Sequence, residues 1–580
     1  MTFCLMSQTK ILPWKQCKFK ILSMKKISRR NFFKTPLLFS FFPLASKGKI
    51  LEGEKKIDTN EKFSAANFNP LSSMGDITTF SSTVFAGEDV DRPHEILWDL
   101  NGYITKQGGV PPVSKHYDVV IVGGGISGLT AAYYLKDKKV LILEDQERLG
   151  GNAKGEVWQG SPYSQGAAYI GIVEDGTPSK KFFEEIGLNF EKGREEISDE
   201  MKVYYKGKFA SGLFSGNLSP EESEEMKSVV QYLAKVYEEN YPDMPYVSGG
   251  MARTTFNKLD QISLLKWFEE NIPKRPILFD EFITQYCWSS FNADWDEISA
   301  AQGLNFILSD LQKTIAFPGG NAFISQTIFN SLMSAICPPE IRSKCFVCKI
   351  SDKNGKAIIT FDNHLRKLES VSADYCIVAT QKKFSKHIIE NLSKEQEYAM
   401  DRIMYRSYLV GNLLLKKKIP SAGYDVFSLK GKIPDSARRD LEDRYATDLI
   451  FANWASHDQD DKSILTFYIP RSYQGAEQYL LSPYAHEKYY NKLMELLPLI
   501  LESIDLNIND VEGIRMTRWG HAMPIAKVGL IASGYLEKAQ ASINNRIFFA
   551  NQDNWANPCF ETAFNSALDV SLRIREFMNK

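Results

Sequence analysis

Residues 117–151 carry the reading: Tyr117-Asp-Val-Val-Ile-Val-Gly123-Gly-Gly125-Ile-Ser-Gly128-Leu-Thr-Ala-Ala-Tyr-Tyr-Leu135, then Val140-Leu-Ile-Leu-Glu144-Asp145, then Arg148-Leu149-Gly150-Gly151. The short β-branched run Val119 to Val122 is the pattern of a strand buried on both faces of a parallel sheet. It feeds into Gly123, Gly125 and Gly128, spaced G-x-G-x-x-G. The first glycine permits a tight turn, the second lets backbone approach a diphosphate, and the third lets the next helix pack closely on the strand. The first turn of that helix, Ile126 and Ser127, presents free N–H groups and the positive end of the dipole to an anion. A second strand, Val140 to Leu143, ends at Glu144, about 20 residues on, where an acid reaches a ribose hydroxyl and repels a 2′-phosphate. Strand, glycine turn, helix, strand and acid together predict an α/β, Rossmann-like dinucleotide fold.

Composition bounds what the rest can be. The chain has 580 residues, 43% of them hydrophobic, enough for two or three domains. Seventy Lys and Arg against 71 Asp and Glu give a formal net charge of −1, which excludes the basic stripe of a nucleic-acid binder. Of eight cysteines only Cys345-Phe-Val-Cys348 form a close pair. Without a second pair or nearby histidines this is a poor zinc site, and on a strand its thiols face opposite ways. They read as core residues, and no metal is expected.

Downstream of Glu144 the chain narrows the choice of dinucleotide, with Arg148-Leu149-Gly150-Gly151-Asn152-Ala153 and then Ser164-Gln165-Gly166-Ala167-Ala168-Tyr169. An acid, a basic residue and a Gly-Gly pair resemble the flavin signature of the FAD-dependent amine oxidase and phytoene desaturase superfamily. That resemblance implies FAD held by Glu144, Asp145, Arg148, Gly150, Gly151 and Asn152, with Arg148 at the pyrophosphate and Gly166 and Ala167 at the ribityl chain or ring. It also implies that Val347, on a hairpin built around Asp352-Lys-Asn-Gly355, faces the adenine. The closing stretch Arg546-Ile-Phe-Phe-Ala550-Asn551-Gln552-Asp553-Asn554-Trp555, then Phe560-Glu561-Thr562-Ala563 and an apolar helix, matches the superfamily's last motif. There Asp553 is the acid at the cofactor, and the helix start around Ala563 points at the flavin.

Tyr286-Cys287, Ser299-Ala300 before Gly303-Leu304, Pro318-Gly319-Gly320-Asn321 and Thr517-Arg518-Trp519-Gly520-His521 look like the spermidine dehydrogenase-like branch. By that resemblance Trp519, His521 and Trp555 wall the substrate side, with His521 able to accept a proton near neutral pH; a structural hydrogen-bonding role is the alternative for His521. The chain departs from the branch at Gly520, at Ala522 to Pro524 and at Trp555 to Pro558, all on the substrate face. The expected arrangement is a discontinuous FAD-binding domain (117–171, 312–392 and 511–580) with an inserted α+β substrate domain (172–311 and 393–510), whose aromatics Tyr405, Trp454 and Tyr468 read as core.

The N-terminal stretch has its own logic. Ser28-Arg29-Arg30-Asn31-Phe32-Phe33-Lys34 and the apolar run after it resemble a twin-arginine export signal within residues 1–48, with Met24 its natural start. The apolar run is too short to span a bilayer. Export by the twin-arginine machinery, which carries folded proteins, places the enzyme in the periplasm or outside the cell; a basic tail is the other reading. Residues 49–116 read as an extension that wraps the body without chemistry of its own. The sequence thus points to an exported FAD-dependent oxidoreductase taking hydride from an amine, a polyamine among the options, with oxygen, a quinone or a redox protein as electron acceptor. Alternatives are a desaturase or oxidase acting on carbon–carbon bonds and a non-catalytic scaffold of the same fold.

Overall fold

The buried strand Val113–Val122 lies between two parallel neighbours, Val140–Leu143 and Leu368–Val378, in a sheet ordered 340–342, 140–143, 113–122, 368–378, 356–362, 346–353, with Ile547–Phe549 also paired to Leu368–Val378. In this computed structural model the described residues are 73–77 and 82–580, apart from 198–201, 206–207, 212–217, 245–250, 311–312, 436–445 and 474. The leader with its twin-arginine stretch lies outside them. Val119, Val120 and Ile121 are fully buried, as a strand covered on both faces must be. The helix Ile126–Tyr134 lies against the strand because Gly128 has no side chain. A Cβ there would stand 2.0 Å from the Gly123 carbonyl oxygen. Leu129, with Phe564, Ala567 and Val570 of the C-terminal helix Phe560–Met578, forms one side of the core. Leu129, Phe564 and Val570 each contribute about 1.5–3 kcal/mol by leaving water.

Strand direction positions the site. The chain leaves Val122, Leu143, Val378 and Phe549 at the same edge, so Gly123, Glu144, Thr380 and Asn551 converge outside the carboxyl ends of the parallel strands. The chain continues from there to opposite sides of the central strand, leaving the crevice where ligands bind in open α/β sheets. The hairpin expected around Asp352 to Gly355 forms as Phe346–Lys353 and Lys356–Asp362.

A second sheet of eight strands runs 208–211, 202–205, 425–429, 448–451, 464–470, 404–415, 511–525, 86–87. Its long antiparallel pair, Met404–Leu415 and Val511–Ile525, sets Tyr408 opposite Trp519. The helix Ala485–Glu502 covers one face through Tyr489, Leu493, Leu497 and Leu501. On the other side of the substrate half lie the helices Pro220–Asn240, Leu264–Asn271, Ile277–Phe291 and Ala300–Asp310.

Two sequence expectations change here. Val511–Ile525, assigned to the FAD-binding domain, belongs to the second sheet, and the chain rejoins the nucleotide sheet only at Ile547. Its alternating polar and apolar residues fit a long antiparallel ribbon better than a buried parallel strand. The extension is also more than a wrapper. Ala86–Gly87 pairs with Thr517 and Arg518, and Arg92 pins it by donating to Asp362 Oδ2 (2.9 Å) and to the carbonyls of Lys344, Asp362 and Asn363. Cys345 and Cys348 are buried in different core clusters, as their spacing on a strand predicts.

Candidate active site

One cavity of ≈ 550 Å³ starts at the glycine turn and runs between the two sheets. Gly123, Gly125, Ile126, Ser127 and Glu144 line it from the glycine turn, the helix start and the end of the second strand, Gly150, Gly151 and Asn152 from the next loop, and Gly166 and Ala167 from the bend between the strands Ser161–Ser164 and Tyr169–Gly171. Ala379, Thr380, Asn551, Asp553 and Ala563 close it from the later strands and the C-terminal helix. Gly123 takes φ +105°, a value that L side chains rarely adopt, and a Cβ there would meet the Ala379 oxygen at 2.9 Å. Gly125 and Gly150 pair backbone to backbone, bringing both glycine turns to one wall.

The polar groups at this end are left open for a ligand. Asp553 Oδ2 accepts from the Lys382 N–H (2.8 Å) and the Tyr405 hydroxyl (2.5 Å), while its buried Oδ1 has no partner. Thr380 Oγ1, Gln381 Oε1 and Asn321 Oδ1, on other lining residues, are also buried and unpartnered. Orphaned polar atoms along a glycine-walled crevice fit a long, hydrogen-bonding cofactor such as FAD. Glu144, at the ribose position, accepts from Gly124 N–H (2.7 Å) and Gln146 N–H (2.9 Å).

Several expected residues lie elsewhere. Gly128 acts through packing and does not line the cavity. Arg148 does not reach it either: the guanidinium donates to the carbonyls of Ser73 (3.3 Å) and Gly155 (2.7 Å) and to Gln165 Oε1 (2.8 Å), with Glu156 at 3.6 Å. It ties the loop together. Asp145 turns away from the lining, and burial, reinforced by Glu144, pushes its carboxyl up to about 7. Val347 is buried in the core cluster with Val122 and Leu143. Trp555 is half-buried behind the cavity wall. His521 packs edge-on against Phe384 (5.3 Å between centroids), and burial drives its imidazole down to about 3, so it stays neutral at physiological pH. It is a packing residue rather than a base in the cavity. Trp519 does line the cavity, with its indole N–H donating to the Gln165 carbonyl (2.8 Å) and its ring over Gly166.

The far end is a chamber that local motifs do not reveal. Tyr169, Phe306, Tyr408, Tyr468 and Phe560 line it together with Asp310, Asp425 and Glu561. Tyr408 and Tyr468 meet edge to face at 5.7 Å, and the Tyr468 hydroxyl donates to the Gly166 carbonyl (2.5 Å). Asp310 ends the helix Ala300–Asp310 and accepts from Tyr286 (2.6 Å); burial pushes its carboxyl up to about 7. Asp425, 4% exposed, keeps a buried, unpartnered Oδ1. Burial and then the neighbouring Asp448 and Glu196 hold its carboxyl well above the usual range. Ser289 links the pair to the tyrosines, bonding Asp448 Oδ2 (3.1 Å) and Tyr408 (3.2 Å). Glu561, in the first turn of the C-terminal helix, is raised by burial. Glu88, from the extension, also lines the cavity and accepts from Gly520 N–H (2.7 Å).

A profile of the family described as flavin containing amine oxidoreductase matches residues 126–575. The chain belongs to that family. It is an FAD-dependent oxidoreductase of the amine oxidase type, which sets the scaffold reading aside. Oxidoreductase PigB of Serratia sp. is 22% identical over 529 residues, which span 80% of this chain and 76% of that protein. Wild-type putrescine oxidase bound to putrescine superposes with a TM-score of 0.58 at 16% identity, covering 80% of this chain and 100% of its own. A fatty acid isomerase from P. acnes does so with a TM-score of 0.55 at 17% identity, covering 80% and 99%. At these identities the two structures share the fold, and the fold alone does not choose between amine and carbon–carbon chemistry.

Proposed function

We propose that the enzyme oxidises an amine that carries a second cationic nitrogen, a diamine or polyamine, to an imine that water converts to an aldehyde. The carrying observation is the chamber wall. Asp310, Asp425 and Glu561 face a space that they share with the rings of Tyr169, Phe306, Tyr408, Tyr468 and Phe560, and no lysine, arginine or histidine occurs among the described lining residues. Uncompensated buried carboxylates are costly, so a site that keeps several of them suits a cationic occupant. A long apolar substrate, as the carbon–carbon reading requires, gains nothing from them. The putrescine bound by the structural neighbour is a diamine, which agrees with this reading.

FAD, when bound, accepts the hydride from the carbon next to the reacting nitrogen. This chain's residues orient the substrate for that transfer. The distal ammonium is held by Asp425, whose carboxyl, raised by burial and by the neighbouring Asp448, releases its proton to water as the cation seats. Tyr408, Tyr468 and Trp519 flank the methylenes and exclude water, and their faces attract cationic nitrogen. The reacting nitrogen must be neutral, because its lone pair assists the loss of hydride. The N–H proton then leaves, water adds to the imine carbon, and ammonia or an amine departs.

We further propose export by the twin-arginine route, supported by Ser28 to Lys34; a mature N-terminus downstream of residue 34 in a periplasmic fraction is the expected result, and full-length protein in the cytoplasm would refute it. For the chemistry, the purified enzyme is incubated with straight-chain diamines and with monoamines of equal length, and carbonyl products are trapped as hydrazones. Aminoaldehyde from diamines, well ahead of aldehyde from monoamines, is expected. Equal turnover of both would overturn the second-cation reading.

A further inference from the structure

Six carboxylates line the cavity, those of Glu88, Glu144, Asp310, Asp425, Asp553 and Glu561, with no basic side chain among the described lining residues. That wall leaves the doubly charged diphosphate of FAD without a counter-ion. The start of the helix Ile126–Tyr134 offers partial charge only. A full cation has to come from just behind the lining. Arg148 is committed to Ser73, Gly155, Gln165 and Glu156, and Lys382 Nζ donates to Asn551 and Asn554 (2.6 Å each).

Lys154 is placed differently. It comes directly after Gly150, Gly151, Asn152 and Ala153, all of which line the cavity, and its Cγ lies 3.2 Å from where a Cβ on Gly150 would stand. The residue is only 5% exposed, yet among the described residues its ammonium makes no hydrogen bond and no ion pair. Three acids act on its charge, Glu144, Asp145 and Glu88, and none accepts a hydrogen bond from it: Glu144 is engaged with the N–H groups of Gly124 and Gln146, and Glu88 with that of Gly520. A buried ammonium without an acceptor is unfavourable unless a ligand provides one.

We propose that Lys154 is the cation that binds the diphosphate of FAD, taking the place that sequence logic gives to Arg148. It draws the diphosphate onto the Gly150–Gly151 wall and balances the acids around it. Lys154→Met keeps most of the side chain's bulk and removes its charge, whereas Lys154→Arg keeps the charge.

The test uses apoprotein prepared from the full chain. FAD affinity is read from quenching of flavin fluorescence, and ADP and adenosine are measured as competitors. Loss of a charged hydrogen bond predicts FAD and ADP binding about 10- to 100-fold weaker in Lys154→Met, with adenosine, which has no phosphate, unchanged. Lys154→Arg should restore most of the loss. Apo Lys154→Met should still melt cooperatively, so that weaker FAD binding is read on folded protein. Should the apoprotein not be recoverable, flavin retained per chain after dialysis of the holoenzyme against high salt gives the same ranking. Unchanged FAD affinity, or equal weakening of ADP and adenosine, would overturn the proposal and make Lys154 a packing residue of the loop.

Discussion

Replacing Asp425 with Asn removes a charge from the chamber wall while keeping the side chain's size. The carboxyl is 4% exposed, its Oδ1 has no partner, and Asp448 and Glu196 stand beside it. A hydrogen bond between charged partners in such a place contributes about 1.5–3 kcal/mol, or roughly 10- to 100-fold. Part of that gain is spent in drawing off the proton that burial and Asp448 keep on the pair, so the lower end applies. We expect kcat/KM for a diamine to fall about tenfold, mostly through KM, and that for a monoamine of equal length to stay within about twofold of wild type. The melting temperature should not drop, because the substitution relieves repulsion among three buried acids. The assay is steady-state turnover of matched diamine and monoamine pairs, with a thermal melt as control. If Asp425→Asn slows both substrates equally while the melt is unchanged, the carboxylate does not read the distal cation and the reasoning fails.

Asp310, pushed up to about 7, is protonated below that pH and charged above it. Attraction for a cation therefore grows as pH rises through about 7, and kcat/KM for diamines should rise with it; Asp310→Asn should remove that limb and leave the limb set by the substrate's own amine. His521 is neutral down to about 3 and lies outside the lining, so His521→Gln should change kcat/KM by less than about threefold and leave the pH profile in place. A hundredfold loss would restore it as a base. A methyl group on Gly128 would collide with a backbone oxygen at 2.0 Å, so Gly128→Ala should cost about 1–3 kcal/mol of stability and lower the flavin recovered per chain.

The half of the molecule that is legible in the sequence is the half whose chemistry is local. The turn from Val122 to Gly128 and the acid after Leu143 result from steric limits acting within about 30 residues. The hairpin around Gly355 and the closing helix at Phe560 result from short-range patterns as well. The chamber is different. Asp310 ends a helix, Asp425 starts a strand and Glu561 opens the last helix, and only the packing of the second sheet against the nucleotide sheet brings them together. No spacing rule connects them. Arg148 departs from its expected place for a related reason. A motif says that a cation stands near the glycines, but whether it faces the cofactor or the protein depends on its partners, here Glu156 and the Gly155 carbonyl. Glu88 escapes detection because a two-residue strand, Ala86–Gly87, leaves no periodic signal. Tyr468 reads as core, and it is buried, but its ring forms the wall of the cavity.

The most direct measurement is an anaerobic titration of the purified holoenzyme with diamines, tracking the absorbance of oxidised flavin. A site that holds FAD beside Trp519 and seats a cationic amine against Asp425 predicts a yellow protein whose flavin band bleaches on adding a diamine, more readily than with a monoamine of equal length. A yellow protein that no amine bleaches would contradict the account.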